Sequence, residues 1–361
     1  MQRAWDGIDP AQFWDSHSHL IGTGDSGSGI YVNPRTESLL DPGQYARRLF
    51  FLNAGCVHDA SGSVDLAYVD RMRNLLEAMN ERAKLLLFAF ERAYDERGEP
   101  DVAHTIFHIP NSYAREVAKR HPERFEWAAS IHPYRADCVA EAEHAKRDGA
   151  RAVKWLPSAM GIDPASPKCD RFYRTLKALD LPLIAHAGLE RAVLGREAHD
   201  FGNPLRLRRA LDAGVRVVVA HCASLGEDRD LDRGENGPYV DSFSLFTRVF
   251  EKFPNCYGDI SAMTQVNRAG PALARVIESE AWHARLLNGS DYPLPGVMPL
   301  FSVDYLVSLG LVAERAVPVL KAIRAHNPLL FDFVLKRHLR AGGKSFAAGV
   351  FETRGFFERA V

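Results

Sequence analysis

Short apolar runs alternating with stretches of three-and-four spacing organise this 361-residue chain. Runs near 13–20, 84–90, 125–132, 151–156, 181–186, 215–221, 256–260 and 285–288 have the length and continuous apolarity of strands buried on both faces. Segments at 111–121, 138–148 and near 170–180, 203–213, 242–253 and 270–283 carry the helical period between them. Eight strands joined by helical crossovers predict an α/β fold, a (β/α)8 TIM barrel spanning 1–361 as one domain, with its active site at the C-terminal strand ends. One stretch breaks the rhythm. Residues 31–83 read as a mainly helical insertion after the first strand, placed to cover the barrel mouth, and Asn327-Pro328 opens a closing helix and tail over 327–361.

The polar residues that end these runs carry the chemistry. Alternation along the first strand points His17 and His19 to the same side, where both can grip one cation. Two histidines alone hold a metal poorly, but Lys154, His186, His221 and Asp291 each close a later run where it meets a loop. A single histidine in such a place is most often structural; the same kind of residue on the first, fourth, fifth, sixth and eighth strands points to one rim. Imidazole nitrogens and a carboxylate suit Zn²⁺ or a similar divalent ion, which supplies an activated water at neutral pH. Asp291 could then both ligate and shuttle the proton, which is hydrolytic chemistry.

Composition narrows the class without adding a partner. Hydrophobic residues at 46% and charged residues at 25% suit a substantial core, and a net charge of −1 offers no pull toward nucleic acid or anionic membrane. No apolar run is long enough to span a bilayer and the N-terminal residues show no secretory signal. Five cysteines without a CxxC pair fit a reducing cytoplasm. The glycine-rich stretch Gly22 to Gly29 lacks the Gly-Lys-Ser/Thr ending of a phosphate cradle and reads as a flexible active-site loop.

His17-x-His19, His186, His221 and Asp291 in Gly289-Ser290-Asp291-Tyr292-Pro293, with the late Asn327-Pro328, resemble the amidohydrolase superfamily. The likeness runs to the TIM-barrel branch that includes amino-carboxymuconate-semialdehyde decarboxylase. It implies that His17, His19, His186 and Asp291 hold one metal and that His221 is a second-metal ligand or an acid/base. Lys154, in Val153-Lys154-Trp155-Leu156-Pro157, is also similar to the strand-four lysine of the dihydroorotase group, where a carbamate bridges two metals. One-metal and two-metal versions both stay open, with Asp291, His221 and Lys154 as the catalytic candidates.

Substrate candidates follow from loop position: Arg92 after strand two, Tyr134 and Arg135 after strand three, Trp155 at strand four and Glu190 after His186. The arginines could fork a carboxylate or pair with local acids such as Asp95 and Asp137. His58, His104, His108 and His199 read as loop histidines, and Asp259 as a support for the site. The first functional expectation is a metal-dependent hydrolase acting on an amide, lactone or ester of a small polar or carboxylated molecule. The second is a metal-dependent non-oxidative decarboxylase or hydratase of an aromatic-derived acid, and the third a non-catalytic barrel binding protein. The insertion at 31–83 offers a surface for a homodimer.

Overall fold

The computed structural model describes residues 2–193, 195, 196 and 198–358; the end of the expected C-terminal tail, 359–361, lies outside them. Eight parallel strands make the barrel: β1 (Trp14–His19), β2 (Lys84–Phe88), β3 (Phe125–Ala128), β4 (Val153–Trp155), β5 (Leu183–His186), β6 (Val217–Ala220), β7 (Cys256–Asp259) and β8 (Leu286–Leu287). Hydrogen bonding runs β1-β2-β3 and β4-β5-β6-β7-β8, and two bridges close the ring, Ala129 to Val153 and Ser18 to Tyr292. The strands are shorter than the apolar runs that predict them. Each run continues past the last ladder bond into the rim, because the tilt of a closing sheet leaves strand ends unpaired.

β1 carries the feature that shapes the site. Asp15 pairs with Leu85 but Ser18 pairs with Leu87, so two β1 residues, Ser16 and His17, face one on β2. Such a bulge bends a strand and re-aims its side chains. On the other side β1 is stitched to the loop after β8: Ser16 N donates to Asn288 O, Asp291 N to His17 O and His19 N to Tyr292 O, at 2.8–3.0 Å. Gly289 permits this approach, since a Cβ there would stand 2.5 Å from His17 Cβ.

The insertion after β1 contains two helices, α1 (Pro42–Ala54) and α2 (Val64–Glu77). Asp41 caps α1 by accepting from Gln44 N, and Ser63 caps α2 by accepting from Leu66 N. α2 buries Tyr68, Val69, Met72, Leu75 and Leu76 on one stripe. The insertion also contributes Tyr31–Val32, a two-residue strand paired antiparallel to Phe107–His108, a local pairing too short to leave a period-two signal. The closing helix Pro328–His338 is capped by Asn327, whose Nδ2 also donates to Leu75 O at 2.7 Å and so ties the end of the chain to α2. Among the described residues no helix is long and apolar enough to cross a membrane.

The glycine-rich loop departs from expectation. Asp65, fully buried at the start of α2, accepts from Thr23 N (2.7 Å), Gly24 N (3.1 Å), Ser26 Oγ (2.7 Å) and Ser28 Oγ (2.7 Å). A carboxylate gathering that many donors holds the loop in one shape, so the segment expected to be flexible is pinned. Nothing near Gly22 to Gly29 in the sequence announces this, because the anchor lies some forty residues downstream.

Candidate metal centre

His17, His19 and Asp291 converge at the C-terminal rim, each offering a ligand atom within 4.8 Å of the others. The Nε2 atoms of His17 and His19 lie 3.4 and 3.2 Å from the same Asp291 oxygen, Oδ1. Hydrogen bonding behind the triad sets the tautomers. Nδ1 of His17 donates to Asp259 Oδ2 at 2.9 Å, so its Nε2 carries the free lone pair toward the triad. Nδ1 of His221 lies 3.0 Å from the carbonyl oxygen of Ser261, which can only accept, so His221 too keeps Nε2 for other use. The other oxygen of Asp259 accepts from His221 N (2.9 Å), Ser261 N (3.0 Å) and Ser261 Oγ. A carboxylate behind a metal-facing histidine is how such ligands are oriented.

His221, Cys222, Ala223 and Asp291 all have positive φ, between 50° and 62°. That conformation is costly for residues with a Cβ, and here it gathers where β6 and β8 end, at the site itself.

Burial governs the electrostatics. It depresses His17, with Lys154 adding to the effect, to about 4, and depresses His186 to about 4 and His221 well below its ordinary value. All three imidazoles are therefore neutral near pH 7, the form a metal needs. Burial pushes Asp291 up, but His221, His19 and His17 together hold it well below the usual carboxylate range. Lys154 is 1% exposed; its Nζ lies 3.3 Å from His17 Nε2 and 4.9 Å from the centre of the Phe88 ring, and burial brings it down to about 8.

The donor set fits a divalent cation. Two imidazole Nε2 atoms and one ionised carboxylate converge, and the buried Nε2 of His186 nearby makes no hydrogen bond among the described residues. The rings of His186 and His221 are 5.2 Å apart, and those of His17 and His221 4.9 Å. His186, the expected fourth ligand, stands outside the tight triad and approaches Glu190 Oε2 at 3.3 Å. A second grouping, His17, His221 and Asp259, also lies within ligand distance. One or two divalent ions are thus accommodated.

Above the triad opens a cavity of about 460 Å³. Its lower wall includes His17, His19, Lys154, His186, His221 and Asp291, so the structure brings together all the strand-end residues singled out from sequence. Glu190 joins them. Its Oε1 accepts from Val193 N at 3.0 Å and from Ala192 N, leaving Oε2 toward His186. The remaining substrate candidates lie elsewhere. Arg135 pairs with Glu91 (2.6 Å) and Asp137 (2.8 Å), the local-acid arrangement. Arg92 lies over the Tyr31 ring, Tyr134 OH accepts from Asp163 N, and Trp155 is sealed in the core donating to Ile131 O. None of these four lines the cavity. His58 and His104 sit in surface pairs with Asp59 and Asp101, and His108 is held by Phe90 O.

Sequence reasoning did not single out Ser261, Gln265 or Arg268, all on the segment after β7. Ser261 follows Asp259 by two and shares its direction, which was a usable signal; Arg268 lies in a loop with no period to place it. The roof also went unread: Phe50 and Phe51 of α1, with Val32 and Phe107 of the short strand pair, make the upper chamber apolar.

A (β/α)8 barrel whose rim gathers a His-x-His pair, two further histidines and an ionised aspartate defines a metal-dependent enzyme. The family model for amidohydrolases matches residues 76–310, well over half of the chain, and the protein belongs to that family. A search of curated proteins finds no match. Among solved structures, the chain is similar to an uncharacterized TIM-barrel protein from Bordetella bronchiseptica, at 15% identity and a TM-score of 0.50 over 87% of this chain and 99% of that one. It is also similar to a putative 2-pyrone-4,6-dicarboxylic acid hydrolase from Pseudomonas putida (15%, TM-score 0.48, 89% and 97%). A 2,6-dihydroxybenzoate decarboxylase from Rhizobium is matched at 15%, TM-score 0.45, over 88% and 97%. At 15% identity the first of these likenesses speaks for the fold alone.

Proposed function

We propose that the protein is a metal-dependent non-oxidative decarboxylase of an aromatic-derived carboxylic acid. The observation that carries this reading is the chamber: a polar, ligand-bearing floor under walls that include Phe50, Phe51, Phe90, Phe107, Ile109 and Leu300. A small polar amide would leave those walls against water, whereas a flat apolar body buries them at about 25 cal/mol per Å². His17, His19 and Asp291 would hold a divalent metal, which would supply a Lewis acid for a substrate oxygen. The chain's own groups do the rest. As the bond between ring carbon and carboxylate breaks, CO₂ leaves and the electron pair stays on the ring carbon, which takes up a proton. Lys154, brought down only to about 8 and so still largely protonated near pH 7, is the group on the cavity floor placed to supply it, while neutral His221 and ionised Asp291 can accept a proton but not supply one.

Hydrolysis of a lactone or ester on the same floor is the second reading. A two-metal version has its own support, because burial brings Lys154 toward the neutral amine that a carbamate requires. Elemental analysis of protein purified without chelator, combined with CO₂ release and ring-opening assays over a panel of aromatic acids and lactones, tests these readings. We expect one bound ion, Zn²⁺ being the best chemical fit, and CO₂ release. His19→Ala and Asp291→Asn should lose most metal and all turnover while keeping the circular dichroism of the parent. Net water addition without CO₂ would transfer the assignment to hydrolysis; two ions per chain, one lost in Lys154→Ala, would establish the carbamate form. Full turnover in both ligand variants would defeat the metal mechanism.

A further inference from the structure

Arg268 stands out among the charged groups of the cavity. It lines the chamber on the segment after β7, and its Nε and Nη1 are buried without a hydrogen-bond partner among the described residues. Other arginines share a buried, unpartnered Nε, and all but one of them place another nitrogen on a carboxylate: Arg48 on Glu37, Arg73 on Asp70, Arg115 on Asp148, Arg206 on Asp163, Arg208 on Asp232. The exception, Arg71, does not line the cavity. Arg268 has no carboxylate at ion-pair distance among the described residues. Asp291, Glu190 and Asp259 act on it only through space. Two guanidinium nitrogens of a half-buried arginine withdrawn from water without a partner are expensive, and native structures tolerate them mainly where something else completes them.

The backbone presents this side chain in a fixed place. Arg268 N and Ala269 N both donate to Gln265 O, at 2.9 and 2.7 Å, and Val266 N donates to Leu300 O at 2.8 Å. The backbone from which the fork projects is therefore fixed before any ligand arrives, which lowers part of the ordering cost of binding. It shares the cavity lining with His186, His221 and Asp291, which puts it beside the metal-binding floor, and the lining also includes the apolar walls.

We propose that Arg268 is the anion-recognition residue of this cavity, its Nε and Nη1 receiving the carboxylate of an apolar, aromatic-sized acid whose body fills the chamber under α1. Nε and an adjacent Nη are the pair of donors that a carboxylate accepts side by side. This deepens the decarboxylase reading and rests on it for the reaction, though not for the binding.

Calorimetric titration of the metal-loaded full chain with benzoate and with its neutral isostere benzamide tests the assignment, with metal content measured on the same samples. The wild-type protein should prefer benzoate by about 10–100-fold, the worth of hydrogen bonds to a charged group. Arg268→Gln should erase that preference with metal content and thermal midpoint unchanged, and Arg268→Lys should restore only part of it, since a single ammonium keeps the charge without the fork. Equal binding of the two probes by the wild type, or a benzoate preference that survives in Arg268→Gln, would overturn the proposal. The outcomes separate the two claims. A benzoate preference that persists in metal-depleted Asp291→Asn and disappears with Arg268 upholds the proposal even if CO₂ release is never seen. CO₂ release together with an Arg268-independent preference upholds the decarboxylase and removes Arg268 from it.

Discussion

The floor and the roof of the cavity are built by opposite means. The floor is made of strand ends: His17, Lys154 and Asp259 are at most 1% exposed, and the chain orients them with hydrogen bonds that cross the barrel. The roof is α1 and its approaches, half-buried, packed by apolar side chains, and bordered by Leu39 and Leu40, which face solvent. A floor of that kind tolerates little change, because moving one group disturbs the protonation and direction of the next. A roof held by apolar contact can change shape at low cost. On the proposed reading the part that does the chemistry is determined by the closed sheet, and the apolar part of the substrate is received by an insertion laid over it.

Beneath the floor lies its brace, and the largest effect on folding should come from there. Lys336 Nζ, 1% exposed, donates to Asp332 Oδ2 (2.6 Å) and to Gly289 O (2.5 Å), tying the closing helix to the turn that carries Asp291. Burial pushes Asp332 up to about 7 even with Lys336 pulling it down. Lys336→Met should cost about 3–5 kcal/mol at neutral pH, the range for breaking a buried pair. The sign with pH follows. Without the lysine the folded Asp332 carboxyl rises further, so the folded chain keeps a proton that the unfolded chain releases above about pH 4. Stability of the variant should be highest in mild acid and fall as pH climbs toward and beyond 7; urea midpoints from pH 5 to 8 measure this. A flat profile would mean that Lys336 does not brace the floor.

A smaller effect, confined to the metal, separates the two groupings that Asp259 could serve. With its oxygens occupied by His17 and by the Ser261–His221 network, Asp259 is in position to orient rather than to ligate. Asp259→Asn should weaken metal binding by about 10–100-fold without changing stoichiometry, as loss of a carboxylate behind a ligating histidine does. Competition titration against a chromophoric chelator reads it. A fall from two ions to one would instead make Asp259 a ligand of a second ion.

The same contrast explains what could be read in the linear sequence. Apolar runs ending in His186, His221 and Asp291 are visible because a doubly buried strand admits nothing polar until it reaches the rim. Period-two spacing likewise shows His17 and His19 as neighbours, although the bulge between Asp15 and Ser18 leaves no mark in sequence. The roof and Arg268 have no such grammar. Loop arginines look alike until the fold distributes the acids: Arg135 has Glu91 and Asp137 beside it, and Arg268 has none at contact distance among the described residues. Asp65 was equally hidden as the anchor of the glycine-rich loop, since its partners sit on the far side of a turn that only the closed barrel brings back.

The gentlest perturbation belongs to the roof and sharpens the comparison most. Phe51, on α1, is half-buried, lines the cavity and packs edge-on against Phe50 with ring centres 5.4 Å apart. Phe51→Ala removes apolar surface from the chamber without touching any hydrogen bond of the floor, so stability should fall by only about 1 kcal/mol, a fraction of what burying such a side chain is worth. Metal content should not change at all. Benzoate and benzamide should both bind more weakly, by about 3–10-fold and by the same factor, because the lost contact is with the ring and carries no charge. That equality is the discriminating observation. A variant of Arg268 is expected to lose affinity for the acid alone, a variant of Phe51 for both probes alike, and a variant of the floor to lose the metal. If Phe51→Ala instead altered metal affinity, roof and floor would be coupled through the pinned loop and Asp65, and the division of labour between sheet and insertion would have to be abandoned.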